Sequence, residues 1–453
     1  MTHFDLAVIG SGSGNSLITA ELAGWRTAVI EEGTFGGTCL NVGCIPTKMY
    51  VYAADVADTV RHAARYGIDA TLDDVRWAAV RDRIFGRIDP ISASGREYRA
   101  HGPNTKLFAT HAEFTDPHTL HLSSGEKLTA DRIVIAAGSR PIVPAVVSAS
   151  GVPFHTSDTI MRIEELPRRL AILGGGYVAA EFAHIFGAFG VEVTVLARSR
   201  SLLRHLDGEI SRRFTELAKQ RWDVRLEAQV TGIDGDDRRV RLEFAEGSAV
   251  DAEALLVATG RLPNSDRLAL DQAGVDVHDD ARVVVDGFQR TTADCVWALG
   301  DVCSPYQLKH VSNHEAKVVA HNLAYPDDPV RADHRFVPAA VFTHPQIATV
   351  GLTEEQAVDR GIPFVSTTEE YGDTAYGWAM EDTTGVCKLL ADPSTGRLLG
   401  AHLMGPQASS LIQPLIQAMS LGQRVRELAN SQYWIHPAMI EVVENALLNL
   451  CVD

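Results

Sequence analysis

The chain has 453 residues, which at about 150 residues per domain predicts roughly three domains. Hydrophobic residues make up 45% and charged residues 22%, as in globular proteins and unlike disordered or collagen-like ones. With 58 acidic and 41 basic residues the net charge is −17, which argues against nucleic acid or an anionic membrane as partner. The six cysteines and the absence of apolar runs of about 18 residues lead us to expect a cytoplasmic protein.

The beginning of the chain has the pattern strand, glycine turn, helix, strand. An apolar run at residues 4–9 precedes a turn, an Ala/Leu-rich segment predicts a helix to about Gly24, and a second apolar run ends at an acid. In such a unit the backbone amides of the turn approach a pyrophosphate, and the acid binds a ribose hydroxyl. The residues that predict this site are Gly10, Gly12, Gly14 and Glu31, although Asn15 stands where a third glycine normally allows close helix packing.

The same pattern returns at residues 170–196, where the glycine turn includes Gly174 and Gly176. Ala197 stands where an acid would face the adenosine ribose, and Arg198, Arg200 and Arg204 follow it. Arginine at this place is the expected partner of a 2′-phosphate, so the second unit predicts NADPH rather than NADH. A solvated basic loop is the alternative interpretation.

Further apolar strands end in Gly138 and Gly260, and residues 295–301 predict a strand that returns to the first sheet. Residues from about 44 to 100 predict a helical insert, and from about residue 338 the pattern predicts strands followed by helices at 408–421 and 437–450. The predicted fold class is α/β, with two Rossmann-like nucleotide-binding domains and a C-terminal α+β domain. The expected limits are 1–152 for the first domain, 153–279 for the NADPH domain, 280–337 for a return to the first domain and 338–453 for the C-terminal domain.

Two cysteines, Cys39 and Cys44, lie between the first unit and the insert. Their spacing is not that of a zinc site, and no metal is expected. Pro46 suits the first turn of a helix, which places Cys44 near a helix N-terminus, where a thiolate is stabilised. The spacing alone fits two structural cysteines as well as a redox pair, and the neighbouring nucleotide site favours the redox pair. Cys295, Cys303 and Cys387 lack motif context and are expected in the core, and Cys451 stands alone.

Several segments together resemble one enzyme family: GGTCLNVGCIPTK, GGGYVAAE, ATGRLPN, ALGDV, VFTHPQIATVGLTEEQA and HPAMIEVVENALL. They are similar to the flavin-dependent disulfide reductases of the glutathione reductase and lipoamide dehydrogenase type, over essentially the whole chain. The resemblance implies FAD and a nicotinamide as cofactors. It also implies a homodimer whose C-terminal domains form the interface.

The resemblance also implies roles for individual residues. Cys39 would attack the substrate disulfide, and Cys44 would be the thiolate against the flavin. FAD would be held by Gly10, Gly12, Glu31 and Asp301, with Lys48 near the flavin. Glu181 would lie in the nicotinamide motif and pair with Lys48. Tyr177 would cover the flavin until nicotinamide displaces it.

His436, expected to open the last helix beside Pro437, would be the general acid and base for thiol exchange. Glu441 would orient its imidazole and stabilise the charged form. The family architecture implies that His436 reaches the active site of the partner subunit, so that the homodimer would be obligate.

Within the family, MYVYAADVA, LKHVSNHEA, YGDTAYGWAMED and SSLIQPLIQAMS look most like the branch that reduces mycothione, the disulfide of the actinobacterial thiol mycothiol. Glutathione reductases carry two adjacent arginines after the first glycine turn, where this chain has Ala20 and Glu21. Alternatives are an NAD-dependent dihydrolipoamide dehydrogenase or a reductase of another small disulfide. A metal-reducing or a non-catalytic protein is disfavoured by the lone Cys451 and by the complete set of catalytic residues.

Overall fold

A computed structural model describes residues 2–450. Within that range no helix is both long and apolar enough to cross a membrane.

The first nucleotide-binding unit is a parallel sheet extended by an antiparallel ribbon. Its elements are β1 (Thr2–Ile9), β2 (Thr27–Ile30), α1 (Gly37–Asn41), α2 (Cys44–Arg61), α3 (Trp77–Ala100), β3 (Thr105–Phe108), β4 (Ala112–Asp116), β5 (Thr119–Leu122), β6 (Lys127–Ile135), β7 (Ser139–Pro141) and α4 (Ala145–Ser148). The strand order is β3-β2-β1-β6-β5-β4, and β1 is parallel to both β2 and β6. All of β2 is buried, as expected for a strand covered on both faces. The predicted helical insert consists of α2 and α3.

The helix predicted after the first glycine turn is wrong. A 3-10 helix over Ser13–Leu17 is followed by turns. In an α-helix the carbonyl of Asn15 would accept from the amide of Thr19, but it accepts from the Arg99 guanidinium at 3.1 Å, and the Thr19 amide donates to Leu17. Glycine, asparagine and serine in this segment also have low helix propensity. A tertiary contact to α3 has therefore replaced the helical hydrogen bonding.

The second unit repeats the parallel arrangement. It comprises β8 (Arg169–Leu173), α5 (Tyr177–Ala188), β9 (Glu192–Leu196), α6 (Gly208–Arg221), β10 (Asp223–Arg225), β11 (Val230–Gly235), β12 (Val240–Phe244), β13 (Ala249–Ala252), β14 (Ala254–Val257) and β15 (Arg261–Pro263). The parallel sheet has the order β10-β9-β8-β14, and β11 to β13 form an antiparallel sheet. β15 pairs antiparallel with β7, which joins the segments that follow Gly138 and Gly260.

The chain then returns to the first sheet and ends in an α+β unit. In order follow β16 (Val296–Ala298), α7 (Lys309–Ala324), β17 (Ala339–Val341), β18 (Gln346–Gly351), α8 (Glu354–Asp359), β19 (Val365–Glu370), α9 (Ala375–Ala379), β20 (Val386–Ala391), β21 (Leu398–Gly405), α10 (Ala408–Leu411), α11 (Gln413–Leu421), α12 (Val425–Asn430) and α13 (Glu441–Leu450). β16 pairs with β6, as predicted. The last five strands form one antiparallel sheet in the order β17-β18-β21-β20-β19. The predicted fold class is confirmed, and the four domain limits stay predictions.

Two smaller expectations are corrected. The last helix begins at Glu441 rather than near Pro437, because the Glu441 carboxylate accepts from the Ala438 amide at 3.2 Å and holds the preceding residues in a turn. Cys303 and Cys387 are buried as expected, whereas Cys295 is exposed. It has a φ of +62° in the turn before β16, where its carbonyl accepts from Ile133. Cys451 lies outside the described residues.

An aromatic cluster fixes α2 against α3 and α5. The buried ring of Tyr50 stacks on Trp77 with centroids 5.0 Å apart, and Trp77 contacts Phe186 of α5 at 5.9 Å. The Tyr50 hydroxyl donates to the Met161 carbonyl at 2.7 Å. Because residues four apart share a helix face, this packing places Cys44 and Lys48 on a common side of the first turns of α2.

Candidate active site

Cys39 on α1 and Cys44 at the start of α2 lie within hydrogen-bonding distance as free thiols. The Cys39 thiol donates to the Cys44 sulfur, and this hydrogen bond together with the Lys48 charge lowers the pKa of Cys44 to about 7, although desolvation of the sulfur acts in the opposite direction. The same hydrogen bond and burial raise the pKa of Cys39. A lone proton on this pair therefore resides on Cys39, while Cys44 is the thiolate.

Lys48 and Glu181 form the ion pair that the resemblance implied. The Lys48 ammonium donates to Glu181 Oε1 and lies 4.2 Å from the centre of the Phe342 ring. Only 7% of the Glu181 side chain is exposed, and its Oε1 also accepts from the Phe342 amide at 2.9 Å. The pair therefore joins the redox helix α2 to α5 of the second unit and to the start of the C-terminal unit.

The first glycine turn has the close backbone approach that a dinucleotide site needs. Gly10 has a φ of +107°, and a Cβ there would lie 2.3 Å from the Ala136 carbonyl oxygen. Gly37, the first residue of α1, has a φ of +69°, and a Cβ there would lie 2.7 Å from Gly12 Cα. Only glycine fits at these two points. The turn and the start of the Cys39 helix are therefore in direct backbone contact, and Gly14 is buried beneath them against the sheet.

Glu31 directly follows β2 and lies beside this turn. Its Oε2 accepts from the amide and the hydroxyl of Ser11 at 2.9 and 2.7 Å, and its Oε1 accepts from the Gly33 amide at 2.8 Å. The carboxylate is thereby held at the rim of the turn while remaining half-exposed. This arrangement of turn amides and an adjacent carboxylate fits the pyrophosphate and ribose of a dinucleotide.

Asp301 and Tyr177 enclose the other side of the site. Asp301 Oδ2 accepts from the Ser139 hydroxyl at 2.7 Å, and the same hydroxyl accepts from Arg261 Nε at 2.8 Å. Tyr177, the first residue of α5, is 43% exposed, yet burial of its hydroxyl raises its pKa, and the charges of Arg261, Asp301 and Cys44 act on it. An exposed aromatic face beside a redox thiol and a fixed carboxylate fits a flat, polar ring system such as a flavin.

The second glycine turn differs from the first at the adenosine end. Gly174 has a φ of +141°, and Gly176 leads into α5. Ala197, directly after β9, stands where an acid would face the ribose, and it is 1% exposed. Arg200 is paired with Glu227 at 3.0 Å, and Arg204 Nε lies 3.2 Å from His205 Nε2. Arg198 is exposed and, among residues 2–450, forms no ion pair. Within residues 2–450, Arg198 and Arg204 thus have no carboxylate partner, in contrast to Arg200.

His436 and Glu441 form a pair on the surface of the C-terminal unit. His436 Nδ1 lies 2.6 Å from Glu441 Oε1, and this contact lowers the pKa of the carboxyl group. The His436 side chain is 70% exposed, and within the part of the chain that the structure describes no hydrogen bond joins it to either cysteine. The neighbouring side chains of Tyr433 and Ile435 are also exposed. The pair is preassembled, and its free face points away from the core of its own subunit.

Two cations beside the first glycine turn were not predicted. Arg99 donates to the side-chain and backbone carbonyls of Asn15 at 2.7 and 3.1 Å, which explains why asparagine stands at that position. Lys309 donates to the Ser13 hydroxyl at 2.7 Å. Both residues belong to helices that are distant in the chain from this turn. For Lys309, the only indication of a functional role in the sequence is its place in the segment LKHVSNHEA.

Comparison with known proteins identifies the family. A model described as pyridine nucleotide-disulphide oxidoreductase matches residues 4–317, and the model of its dimerisation domain matches residues 337–447. The chain is 56% identical to mycothione reductase of Mycobacterium tuberculosis, over 99% of this chain and 100% of that protein. It is 32% identical to glutathione reductase of Burkholderia cepacia, over 97% of each chain.

A solved structure supports the same assignment. It is the Cu(II) complex of the HOCl-induced flavoprotein disulfide reductase RclA from Escherichia coli, which is 30% identical over 100% of both chains with a TM-score of 0.88. The redox pair, the two glycine turns and these similarities over the full chain lead to one conclusion. This chain belongs to the pyridine nucleotide-disulphide oxidoreductase family and is a flavin-dependent disulfide oxidoreductase.

Proposed function

We propose that this chain uses NADPH to reduce mycothione to two molecules of mycothiol through FAD and the Cys39–Cys44 pair. The observation that carries the substrate assignment is the 56% identity with a mycothione reductase over 99% of the chain, against 32% with a glutathione reductase. The segment after the first glycine turn agrees with this choice. Glu21 is exposed, and hydrogen bonds from the Thr19 hydroxyl and the backbone lower its pKa, so it is ionised at neutral pH.

The charge of Glu21 disfavours glutathione disulfide, which carries four carboxylates, while Ala20 offers no compensating cation. Mycothione is built from acetylcysteine, glucosamine and inositol and has no carboxylate, so it meets no repulsion there. The structure differs from expectation only in placing these residues in a turn rather than on a helix.

The preference for NADPH rests on the end of β9. The buried Ala197 stands where an acid would bind the 2′-hydroxyl of NADH. Arg198 follows it directly, Arg204 comes later in the same loop, and neither is paired with a carboxylate of the described residues 2–450. A guanidinium binds a phosphate through charge-assisted hydrogen bonds. The residues proposed to bind the nicotinamide cofactor are Gly174, Gly176, Tyr177, Glu181, Arg198, Arg204 and Gly260.

When bound, FAD would transfer two electrons from NADPH to the Cys39–Cys44 disulfide. The proposed FAD-binding residues are Gly10, Gly12, Gly14, Glu31, Lys48, Gly138 and Asp301. The disulfide takes up two electrons and one proton, which yields the Cys39 thiol and the Cys44 thiolate. Lys48 and the hydrogen bond from Cys39 stabilise that thiolate, which is why the pKa of Cys44 is lowered to about 7.

Thiol exchange then consumes the reduced pair. His436 accepts the proton of Cys39, and the Cys39 thiolate attacks one sulfur of mycothione to form a mixed disulfide. The expelled mycothiol thiolate takes the proton from His436. Cys44 next attacks Cys39, which restores the protein disulfide and releases the second mycothiol as a thiolate that is protonated from solvent. The balance is one NADPH and one proton consumed for each mycothione reduced.

The position of His436 supports a homodimer in which this residue acts on the partner subunit. Its side chain is 70% exposed and lies within the segment matched by the dimerisation-domain model. Exposed Tyr433 and Ile435 beside it provide apolar surface of the kind that an interface covers. We propose that the homodimer is obligate for turnover.

The proposed function is tested by kinetics with mycothione under anaerobic conditions, with NADPH and NADH compared at equal concentration. Efficient turnover of mycothione with NADPH supports it. Equal activity with glutathione disulfide or lipoamide, or with NADH, contradicts the corresponding assignment.

A mixing experiment tests the dimer. Cys39→Ser subunits and His436→Ala subunits are each expected to be inactive alone. A hybrid dimer combines the intact Cys39 of one subunit with the intact His436 of the other and so has one complete site, and we expect it to regain up to about half of the activity per active site.

A further inference from the structure

The first glycine turn is not followed by an α-helix in the part of the chain that the structure describes. In a regular βαβ unit the pyrophosphate of a dinucleotide lies at the N-terminus of such a helix, whose amides and partial positive charge hold the anion. Here the turn continues into the five-residue 3-10 helix Ser13–Leu17 and then into further turns. Because so short a segment has only a small dipole, a pyrophosphate at this turn needs positive charge from elsewhere in the chain.

Lys309 brings a positive charge to this turn. It is the half-buried first residue of α7, and its Nζ donates to the Ser13 hydroxyl at 2.7 Å. The Ser13 hydroxyl in turn donates to Asn313 Oδ1 at 3.4 Å, one turn further along α7. Helix α7 therefore faces the turn with its N-terminal end, where the helix dipole adds to the charge of the lysine.

No acidic side chain of residues 2–450 forms an ion pair with Lys309, although the chain has 17 more acidic than basic residues. The two carboxylates assigned to the FAD site, Glu31 and Asp301, accept hydrogen bonds from other groups. A lysine at the N-terminus of a helix is electrostatically unfavourable unless an anion lies nearby. The uncompensated charge therefore indicates an anion that does not belong to the protein itself.

The turn offers hydrogen-bond donors for the same anion. Among the described residues, the backbone amides of residues 12–14 have no hydrogen-bond acceptor. The guanidinium of Arg99 donates to the side-chain and backbone carbonyls of Asn15 at 2.7 and 3.1 Å, and so holds the turn in this conformation. Arg99 is thus engaged in shaping the turn, whereas the ammonium group of Lys309 is bound to a neutral hydroxyl that an anion can replace.

We propose that Lys309 is a phosphate-binding residue of the FAD site, and that its ammonium group supplies the positive charge at the pyrophosphate that an α-helix after the turn would supply. The pyrophosphate of FAD is doubly negative, and a lysine binds phosphate through its charge and its N–H donors. The inference rests on the proposed function only in taking the first glycine turn as part of the FAD site. It does not depend on which disulfide or which nicotinamide the enzyme uses.

The test is the rate at which the purified holoenzyme releases FAD. The loaded protein is mixed with an excess of isotopically labelled FAD, and mass spectrometry of the bound cofactor follows the exchange at about 25 mM and about 500 mM NaCl, because salt screens the attraction between charges. The variants are K309M, K309Q, which keeps an N–H donor without the charge, and K309R, which keeps the charge. K317M removes the same charge from an exposed position of α7 and is the matched control.

For K309M and K309Q we expect FAD release to be about tenfold or more faster at low salt, because a charge-assisted hydrogen bond is lost and such losses change mainly the dissociation rate. The difference from the parent should shrink at high salt. K309R should stay within about threefold of the parent, and K317M should be unchanged. The comparison of K309Q with K309R remains decisive if K309M fails to fold.

Three results overturn the proposal: a parental release rate in K309Q, equal acceleration in K309Q and K309R, or an acceleration that does not change with salt. A parent protein that carries no flavin contradicts the proposed function and the inference with it. A loaded parent with an unaltered K309Q overturns the inference alone. Because no disulfide or nicotinamide enters the assay, its result is separate from the tests of substrate and cofactor preference.

Discussion

Lys48 and Glu181, 133 residues apart in sequence, form an ion pair in which the carboxylate also accepts from the Phe342 amide. The pair sets the charge that Cys44 experiences, because Lys48 lowers the pKa of Cys44 and Glu181 raises it. The burial of Glu181, with 7% of its side chain exposed, fixes the lysine beside the thiolate. The acidity of Cys44 therefore depends on contacts from three segments of the chain.

The first prediction concerns the pH dependence of Cys44. Its pKa is lowered from the ordinary value of 9.0 to about 7, so the thiolate predominates above pH 7 and is lost as the pH falls through that value. A Cys44 thiolate against the oxidised flavin should give a long-wavelength charge-transfer absorbance. In the two-electron-reduced, FAD-loaded enzyme this absorbance should rise with pH, with a midpoint near 7. Replacing Lys48 by Met removes a nearby positive charge, so the midpoint should rise by about one unit. An unchanged midpoint in K48M would show that the lysine does not stabilise the thiolate.

Mutation should distinguish the roles of the two cysteines. Cys44→Ser should abolish the long-wavelength band, because the serine hydroxyl is not ionised at neutral pH. Cys39→Ser should retain the band and lose disulfide turnover, because it lacks the attacking sulfur. Absorbance spectra of the anaerobic proteins and a turnover assay measure both properties. Retention of the band in Cys44→Ser would reverse the two assignments.

Discrimination between the nicotinamides should depend on Arg198 and Arg204. Each charge-assisted contact to the 2′-phosphate contributes about 1.5–3 kcal/mol, so the pair supplies a preference for NADPH on the order of 10²-fold or more. Arg198→Ala and Arg204→Ala should each raise KM for NADPH about tenfold or more and leave kinetics with NADH nearly unchanged. Arg200→Ala is the matched control, because Arg200 is paired with Glu227 at 3.0 Å. A larger effect in the control than in Arg198→Ala would reassign the phosphate site.

His436 should act in thiol–disulfide exchange with the substrate and not in the reduction of the enzyme by NADPH. His436→Ala should leave the reduction of enzyme by NADPH nearly intact and slow disulfide turnover by about 10²–10⁴-fold, the range for a positioned acid or base. Glu441→Gln keeps a hydrogen-bond acceptor for Nδ1 at 2.6 Å but loses the charge, so a smaller loss is expected. Stopped-flow measurement of each half-reaction checks both variants. Equal slowing of both halves in His436→Ala would indicate a structural role.

The sequence predicts those parts of the fold that repeat a local pattern. Short apolar runs and the glycines that end them predict both glycine turns, the return strand β16 and the position of the redox segment. The prediction of a helix after the first turn is wrong because Arg99, 84 residues away, donates a hydrogen bond to the backbone carbonyl of Asn15. The local sequence pattern contains no information about such a distant contact. The pairing of Lys48 with Glu181 was accessible through family resemblance, not through spacing.

Lys309 shows the remaining limit. Apart from its place in the segment LKHVSNHEA, nothing in its sequence neighbourhood distinguishes it from a solvated helix residue, because its contact is with Ser13, 296 residues earlier in the chain. The start of the last helix was misplaced for a related reason. Prolines favour the first turn of a helix, but here the Glu441 carboxylate holds the residues after Pro437 in a turn.

The identity of the disulfide substrate is tested by measuring kcat/KM for mycothione, glutathione disulfide and lipoamide in the same buffer with saturating NADPH. With Glu21 ionised and no arginine pair beside it, we expect efficient turnover of mycothione, or of its truncated bis-glucosaminyl core, and negligible turnover of glutathione disulfide. A kcat/KM for glutathione disulfide or lipoamide equal to that for mycothione would contradict the substrate assignment and leave only the family.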